Sequence, residues 1–469
     1  MISFSHLDYL VILLFFAAVI AIGFYFGRKT GDQADDYLLS GRKVGLFLFV
    51  LTTVSTWYGG ILGVGEFTYR YGLVSWFTQG FPYYIFAFLF AIFFAKKVRS
   101  ASLFTIPDKL TLVYGKKAGL ISAILVFVLV SPAPYLLMTA NLIQLLFGTG
   151  IIVSLILALL LSVLYLFRGG FKSNIYADAL QFFVMFGGFF IVLIIAWNSL
   201  GGLKFLQTNL PAKHLQLTGG ASPTFIIVWF LIALWTFADP GFHQRCYAAK
   251  TGDIAVKGII ISIFFMALFD FLTTSTGLYA RAVFPDLSKP VLSYPMLAEK
   301  ILSPGLKGIF YAAMFATIMS TLNSFLFLSA TTIGRDFIFK ISKYENEKKL
   351  KIYTVYGLII SGILSILLAY FIPSVIEIWY TVGSLCIPGI ILPVISAYYT
   401  KIKIENKILL FEILTAVFVS VLWYFIRGYF ADVKIINEIE PMLVGLFTAS
   451  IIHLYGLMKN RFSYETKKV

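Results

Sequence analysis

Charge is scarce in this chain. Only 13% of its 469 residues are Asp, Glu, Lys or Arg, while 59% are hydrophobic. No water-soluble domain of this size has that balance, so the sequence reads as an all-helical polytopic membrane protein. Cysteine is scarce too: Cys246 and Cys386 stand far apart and suggest no disulfide framework. The four histidines, His6, His214, His243 and His453, lack metal-site spacing. There is no Walker A loop, which excludes ATP hydrolysis by that route. A membrane enzyme would need clustered acids, histidines or metal ligands, and none stand out. No Ser- or Pro-rich linker divides the chain and no appended kinase or regulatory segment is visible, which argues against a sensor. The first apolar run, residues 7–27, lacks the basic start and small-residue cleavage site of a signal peptide and is expected to be retained as a span.

What is present is a series of apolar runs. Thirteen are long enough to span: about 7–27, 46–67, 73–95, 118–147, 150–167, 174–198, 224–240, 255–280, 306–332, 352–372, 375–398, 408–426 and 439–458, here spans 1 to 13. The net charge of +15 is spread through the loops between them, including the charged segment 343–351. With the N-terminus outside, 28 of the 37 Lys and Arg residues fall on the inner side. That bias predicts a cytoplasmic C-terminus and makes the positive charge a topology signal; it implies a lipid bilayer as partner and no nucleic acid. The short loops and missing transit segment point to a bacterial or archaeal plasma membrane.

Three spans are irregular. Span 2 contains STWYGGILGVGEF (55–67), where four glycines weaken the helix at mid-depth. Span 4 contains SPAP (131–134), a proline kink. Span 7 ends in WTFADPGFHQR (235–245), where Asp239-Pro240-Gly241 stops or redirects a helix. Spans 2 and 7 each open a set of five, spans 2–6 and 7–11. Interrupted helices in corresponding positions of two halves point to a transporter of inverted repeats with a site at the bilayer midplane. Span 9 adds TIMSTLNSFLFLS (317–329), in which Thr317, Ser320, Thr321 and Ser324 share one helical face. Small polar residues of this kind either pack helices closely or face a polar ligand.

Four stretches in order, ADDYLLSGRKVG (34–45), GGFKSNIYADALQ (169–181), HQRCYAAKTG (243–252) and AAMFATIMSTLNSFLFLSATTIGRDF (312–337), resemble the sodium:solute symporter family, which includes sodium/glucose, sodium/proline and sodium/sialic acid cotransporters. Ala177 stands where the family usually has Thr. The resemblance covers about residues 5–425. It implies a leucine-transporter-like fold of five plus five helices: an extra helix at 7–27, one repeat at about 46–198, a second at about 224–398, and two extra helices at about 408–458. It also implies Na+ as the coupling ion, held by the Ser320 and Thr321 hydroxyls and the backbone carbonyls of Thr53, Thr56 and Thr317. Many members have an apolar residue at 53 and 317, a change that a carbonyl ligand tolerates.

Other buried polar residues are candidates as well. Asp178, with Asn174 and Gln181 on its helical face, either pairs with a basic residue or serves a second ion with Asn323 and Ser324. Asp270, central in span 8, is a candidate proton or solute site. Glu66 and Arg70 read as a helix-end ion pair. The solute pocket is expected between spans 2, 3, 7 and 11, lined by Trp57, Tyr58, Gly60, Gln79, Trp235 and Tyr380. By the resemblance, Trp235 falls where sugar-carrying members have an aromatic gate, but Gln79 and Ile232 replace their carboxylate and Asn, which weighs against a sugar. The expected function is sodium-coupled import of a small organic solute, an amino acid or other carboxylate, by alternating access. A proton-coupled version of the same fold, or a transporter-like sensor, stays open.

Overall fold

The computed structural model describes residues 2–465 except 29, 32, 341–348, 373, 431 and 432; most of the charged 343–351 loop therefore lies outside the described residues. Among the described residues every regular element is helical, and the one β-bridge joins Val44 to Ala249. The long apolar runs dictate this: away from water, a backbone must bond itself, and a helix does so within one segment.

The spans appear in the expected order. Among the described residues eleven helices are long and apolar enough to cross a bilayer, and the bent pair Leu46–Trp57 and Ile61–Tyr71 makes twelve. The expected count of thirteen is not reached by length. The run at 150–167 forms only Ile151–Val163, 13 residues, or about 20 Å at 1.5 Å per residue, short of a hydrocarbon core of about 30 Å.

The breaks are narrower than glycine content suggested. Span 2 leaves the helix only over Tyr58–Gly60, with a bend of 56°, while Gly63 and Gly65 stay helical. Span 4 is interrupted around Ser131 and Pro132, between Lys116–Leu129 and Ala133–Phe147. Span 7 runs as an α-helix over Pro223–Ile232, tightens to a 3-10 segment over Ala233–Ala238, turns extended at Asp239 and resumes at Pro240–Ala248. Asp239 caps the second half through the Phe242 N–H (2.7 Å), as an N-cap carboxylate should.

Span 9 is the axis of the molecule. In its most apolar stretch 89% of residues are buried, against 28% in span 1. It packs along span 6 (Leu166–Leu200), span 1 and the first half of span 2. The approach to span 2 is very close: a Cβ on Gly59 would lie 2.3 Å from the Thr321 side chain, so only glycine fits there. Gly187 on span 6 has no atom within 4 Å of the equivalent point. Gly59→Ala should therefore lose about 1–3 kcal/mol of stability to overpacking, while Gly187→Ala should be neutral or slightly stabilising. Thermal unfolding of the two purified variants checks this; equal melting temperatures would contradict the close approach.

Candidate ion and solute site

The polar face of span 9 meets the broken end of span 2. Ser320 Oγ donates to the Ser55 carbonyl (2.6 Å) and lies 3.2 Å from the Thr317 carbonyl. Thr321 Oγ1 donates to the Thr56 carbonyl (2.7 Å). These carbonyls are accessible because the helix stops at Trp57, and the last carbonyls of a helix have no partner within it. The hydroxyls of Thr317 and Thr53 turn back to their own helices, onto the Ala313 and Phe49 carbonyls (2.7 Å each). The result is a buried group of neutral oxygens from two helices. Of the residues expected here, Thr56, Thr317, Ser320 and Thr321 come together. Ser55, whose carbonyl accepts from Ser320, joins them, and the expected ligand Thr53 lies two residues earlier on the same helix. The break lies at the start of the glycine run, over Tyr58–Gly60.

One turn toward the N-terminal end of span 2 lies a charged cluster. Asp178 is fully buried on span 6. Its Oδ2 accepts from Thr52 Oγ1 (2.5 Å) and Thr56 Oγ1 (3.4 Å), lies 3.4 Å from Asn174 Nδ2 and pairs with Arg245 of span 7 (3.6 Å). Ser324 accepts from Asn174 (2.7 Å) and Arg245 (3.1 Å). Asn323 is close by on span 9 but donates to the Tyr165 hydroxyl instead. Thr52 and Arg245 were not expected in this cluster. Thr52 and Thr56 are four apart on one face, and Arg245 follows a broken helix; together these were the available signals.

On the other side of the span 2 break the residues are aromatic. Trp57 meets Tyr83 and Phe242 edge-on, at 5.3 and 5.1 Å. Tyr58 turns to span 8, donating to the Met266 carbonyl (2.5 Å) and packing on Phe269. Asp270 accepts from Tyr84, whose oxygen also receives the Trp76 N–H (3.2 Å). Among the described residues no Lys, Arg or His pairs with Asp270. Gly60 ends the break, and Gln79 and Trp235 are half-buried. Tyr380 lies on Val375–Cys386, but its side chain is outside the described residues. Tyr83, Tyr84 and Phe242 were missed because hydropathy does not fix which way an apolar helix is rotated.

The sequence profile of the sodium:solute symporter family matches residues 37–405. The chain belongs to the sodium:solute symporter family. The sodium/pantothenate symporter of Escherichia coli (strain K12) is 29% identical over 398 residues, covering 79% of this chain and 80% of that protein. High-affinity choline transporter 1 of Drosophila melanogaster is 27% identical, over 78% of this chain and 63% of its own length. The solved structure of a Na+-coupled sialic acid symporter, substrate-bound and outward-open, has a TM-score of 0.81 at 17% identity over 97% of this chain and 98% of that one. Inward-facing Mhp1 follows at 0.50 and 11%, over 96% and 91%. The fold is thus that of the leucine-transporter-like carriers, and these relatives are transporters rather than enzymes.

The family-like stretches turn out to hold one another. Val44 of the loop between spans 1 and 2 bonds across to Ala248 and Lys250 at the end of span 7 (3.1 and 2.9 Å). Gly170, at φ 54°, brings span 6 against Tyr37: a Cβ there would lie 2.4 Å from the Tyr37 carbonyl. The Glu66–Arg70 pair forms as a helix-end contact (2.8 Å). At the foot of span 9, Arg335 pairs with Asp108 of the loop between spans 3 and 4, Lys340 joins it (3.0 Å), and Asp336 accepts from Thr105 (3.0 Å). Burial works against charge on Asp108, but Arg335 and Lys340 outweigh it and hold the carboxyl below its usual range. A lowered folded pKa stabilises above the unfolded value of about 3.9 and is lost as pH falls through the folded one. Asp108→Asn should therefore melt several degrees below the parent at neutral pH, and the gap should close as pH drops below about 4. A gap independent of pH would mean that the charge is not what Asp108 contributes.

Proposed function

We propose that this protein imports a small organic solute with sodium by alternating access, the ion lying between spans 2 and 9. The observation that carries this reading is the convergence of the Ser320 and Thr321 hydroxyls on the carbonyls at the broken end of span 2. A monovalent cation is well matched by several neutral oxygens, because they replace its hydration shell without leaving a buried countercharge. The ligands are the side chains of Ser320 and Thr321 with carbonyls of Thr56 and Thr317 and of Ser55 or Thr53. The solute lies beside them, against Trp57, Tyr58, Gly60 and Trp235, with Gln79 and Tyr380 at its margins. Unwound backbone at Tyr58–Gly60 presents N–H groups suited to a carboxylate, which favours a zwitterionic or carboxylate solute. Sodium orders residues 55 and 56, and the solute contacts begin at residue 57, so each ligand lowers the ordering cost for the other.

A proton-coupled version rests on one specific observation: Asp270 is a buried carboxylate without a basic partner among the described residues. It would take a proton relayed through Tyr84. Uptake of metabolites identified by thermal-shift screening separates the two readings. In the sodium reading, Ser320→Ala and Thr321→Ala each raise the sodium concentration for half-maximal uptake tenfold or more, equivalent to about 1.4 kcal/mol for a lost ligand oxygen. Uptake driven by a pH gradient alone, with both variants unaffected, would establish the proton version.

The charge bias supports an outer N-terminus and an inner C-terminus in the plasma membrane. A cysteine placed at Ser3 should react with an impermeant reagent on intact cells, and one at Ser463 should react only after permeabilisation. The reverse pattern would invert the topology.

A further inference from the structure

Span 3 is interrupted at Gly80, between the helices Val74–Gln79 and Phe81–Phe90. A Cβ at position 80 would lie 2.7 Å from Asp270 Oδ2, so the missing side chain makes room for a carboxyl from span 8, Gly252–Val283. Asp270 is 9% exposed. Among the described residues, each ionisable group that faces it is a phenol: Tyr58 at the span 2 break, Tyr84 on span 3, and Tyr294 on the helix Ser293–Ile301. The adjoining Phe269 packs on Phe186 and Phe189 of span 6 (5.0 and 5.2 Å). The site thus holds a carboxyl, phenols and apolar rings.

Counting hydrogens decides the state of the carboxyl. Each phenol has one to give. The Trp76 Nε1–H, a donor only, points at the Tyr84 oxygen (3.2 Å), so the Tyr84 hydrogen goes to Asp270. Tyr294 donates to the Thr273 carbonyl (2.9 Å) and Tyr58 to the Met266 carbonyl (2.5 Å). Met266 stands one helical turn before Asp270, so the Tyr58 hydroxyl lies level with the carboxyl and has no hydrogen left for it. An ionised Asp270 would set its lone pairs against those of Tyr58, buried and without a countercharge. A protonated Asp270 donates to Tyr58 and completes a chain from Trp76 through Tyr84, Asp270 and Tyr58 to the Met266 carbonyl. We infer that Asp270 is a resident carboxylic acid, which keeps its proton with and without sodium and uses it to hold Tyr58 at the break of span 2. It is a positioning residue and not the coupling group. That Tyr58 borders the solute rests on the reading above; the proton on Asp270 does not.

The test is the infrared spectrum of the purified full-length protein in lipid nanodiscs, which requires no solute. A protonated carboxylic acid has a carbonyl stretch apart from those of carboxylates and amides. The difference between the parent and Asp270→Asn should contain that band. It should persist when sodium chloride is added and across about pH 5–8, the range in which a coupling group exchanges its proton. Asparagine mimics the neutral acid, accepting from Tyr84 and donating to Tyr58. Asp270→Asn should therefore melt near the parent, and Asp270→Ala several degrees lower. A difference spectrum without the band would mean an ionised Asp270 and overturn the inference. So would an Asp270→Asn protein that does not fold, or that melts as low as Asp270→Ala. A band lost on adding sodium, or titrating within that range, would make Asp270 the coupling group and favour the proton version. Failure of the Ser320 and Thr321 site would show instead in the uptake of those variants and leave the band in place.

Discussion

A helix that breaks inside a membrane leaves carbonyls that water cannot reach, and an unbonded buried carbonyl is costly. Span 2 breaks at Tyr58–Gly60, so the carbonyls of Ser55 and Thr56 must find partners outside their own helix. They find them in Ser320 and Thr321. Much of the surrounding structure follows from that need. Span 9 must come close enough for short side chains to reach, so position 59 must be glycine. Span 9 must also be surrounded on all sides, since its hydroxyls would otherwise face lipid. The same oxygens that close the break without a ligand are those that suit a monovalent cation. A hydroxyl that donates to a carbonyl can rotate and accept an ion beside it, so an ion there exchanges partners among groups already in place.

The sequence was most informative where the physics is local. Hydropathy placed the spans and their order because a bilayer tests each segment separately. Asp239-Pro240-Gly241 marked a break correctly because proline and an N-cap carboxylate act within a turn. Gly59 to Gly65 overstated the break in span 2: glycine lowers the cost of leaving a helix but does not require it, and Gly63 and Gly65 remain helical where neighbouring spans hold them. The run at 150–167 forms the shorter helix Ile151–Val163 because an apolar run sets only an upper limit on helix length. Contacts between distant spans were the least legible. Asp178 was visible as a buried carboxylate, but its pairing with Arg245 depends on how span 7 resumes after its break, which the break signal alone does not fix. The aromatic contacts of Trp57 were hidden for a related reason, since they depend on how spans 3 and 7 are rotated toward span 2.

The two charged clusters differ in electrostatic character, and this bears on how the protein moves. The Asp108–Arg335–Lys340 group joins the loop after span 3 to the foot of span 9, at the edge of the membrane, where water screens part of the interaction. The Asp178–Arg245 group is inside the membrane and links span 7 to spans 2, 6 and 9. Moving span 7 away from span 9 would separate Arg245 from Ser324 and Asp178, and separating a buried pair leaves two uncompensated charges. Rearrangement is therefore easier if Arg245 travels with spans 2 and 6, or if water reaches the cluster as it opens. The same pair thus restricts the set of motions open to the second half of span 7, Pro240–Ala248.

Thr56 brings these constraints together. Its carbonyl is held by Thr321, its hydroxyl by Arg245, and the helix ends at the next residue. A shift of this residue alters the neutral oxygens, the charged cluster and the start of the aromatic region at Trp57 simultaneously. Linkage between ion and solute therefore needs no long path through the protein. It requires only that residues 55–60 have a few discrete arrangements, and a helix end bounded by glycine has that property. The coupling free energy is then the difference in how well each ligand fits those arrangements, and it must be the same whichever ligand binds first.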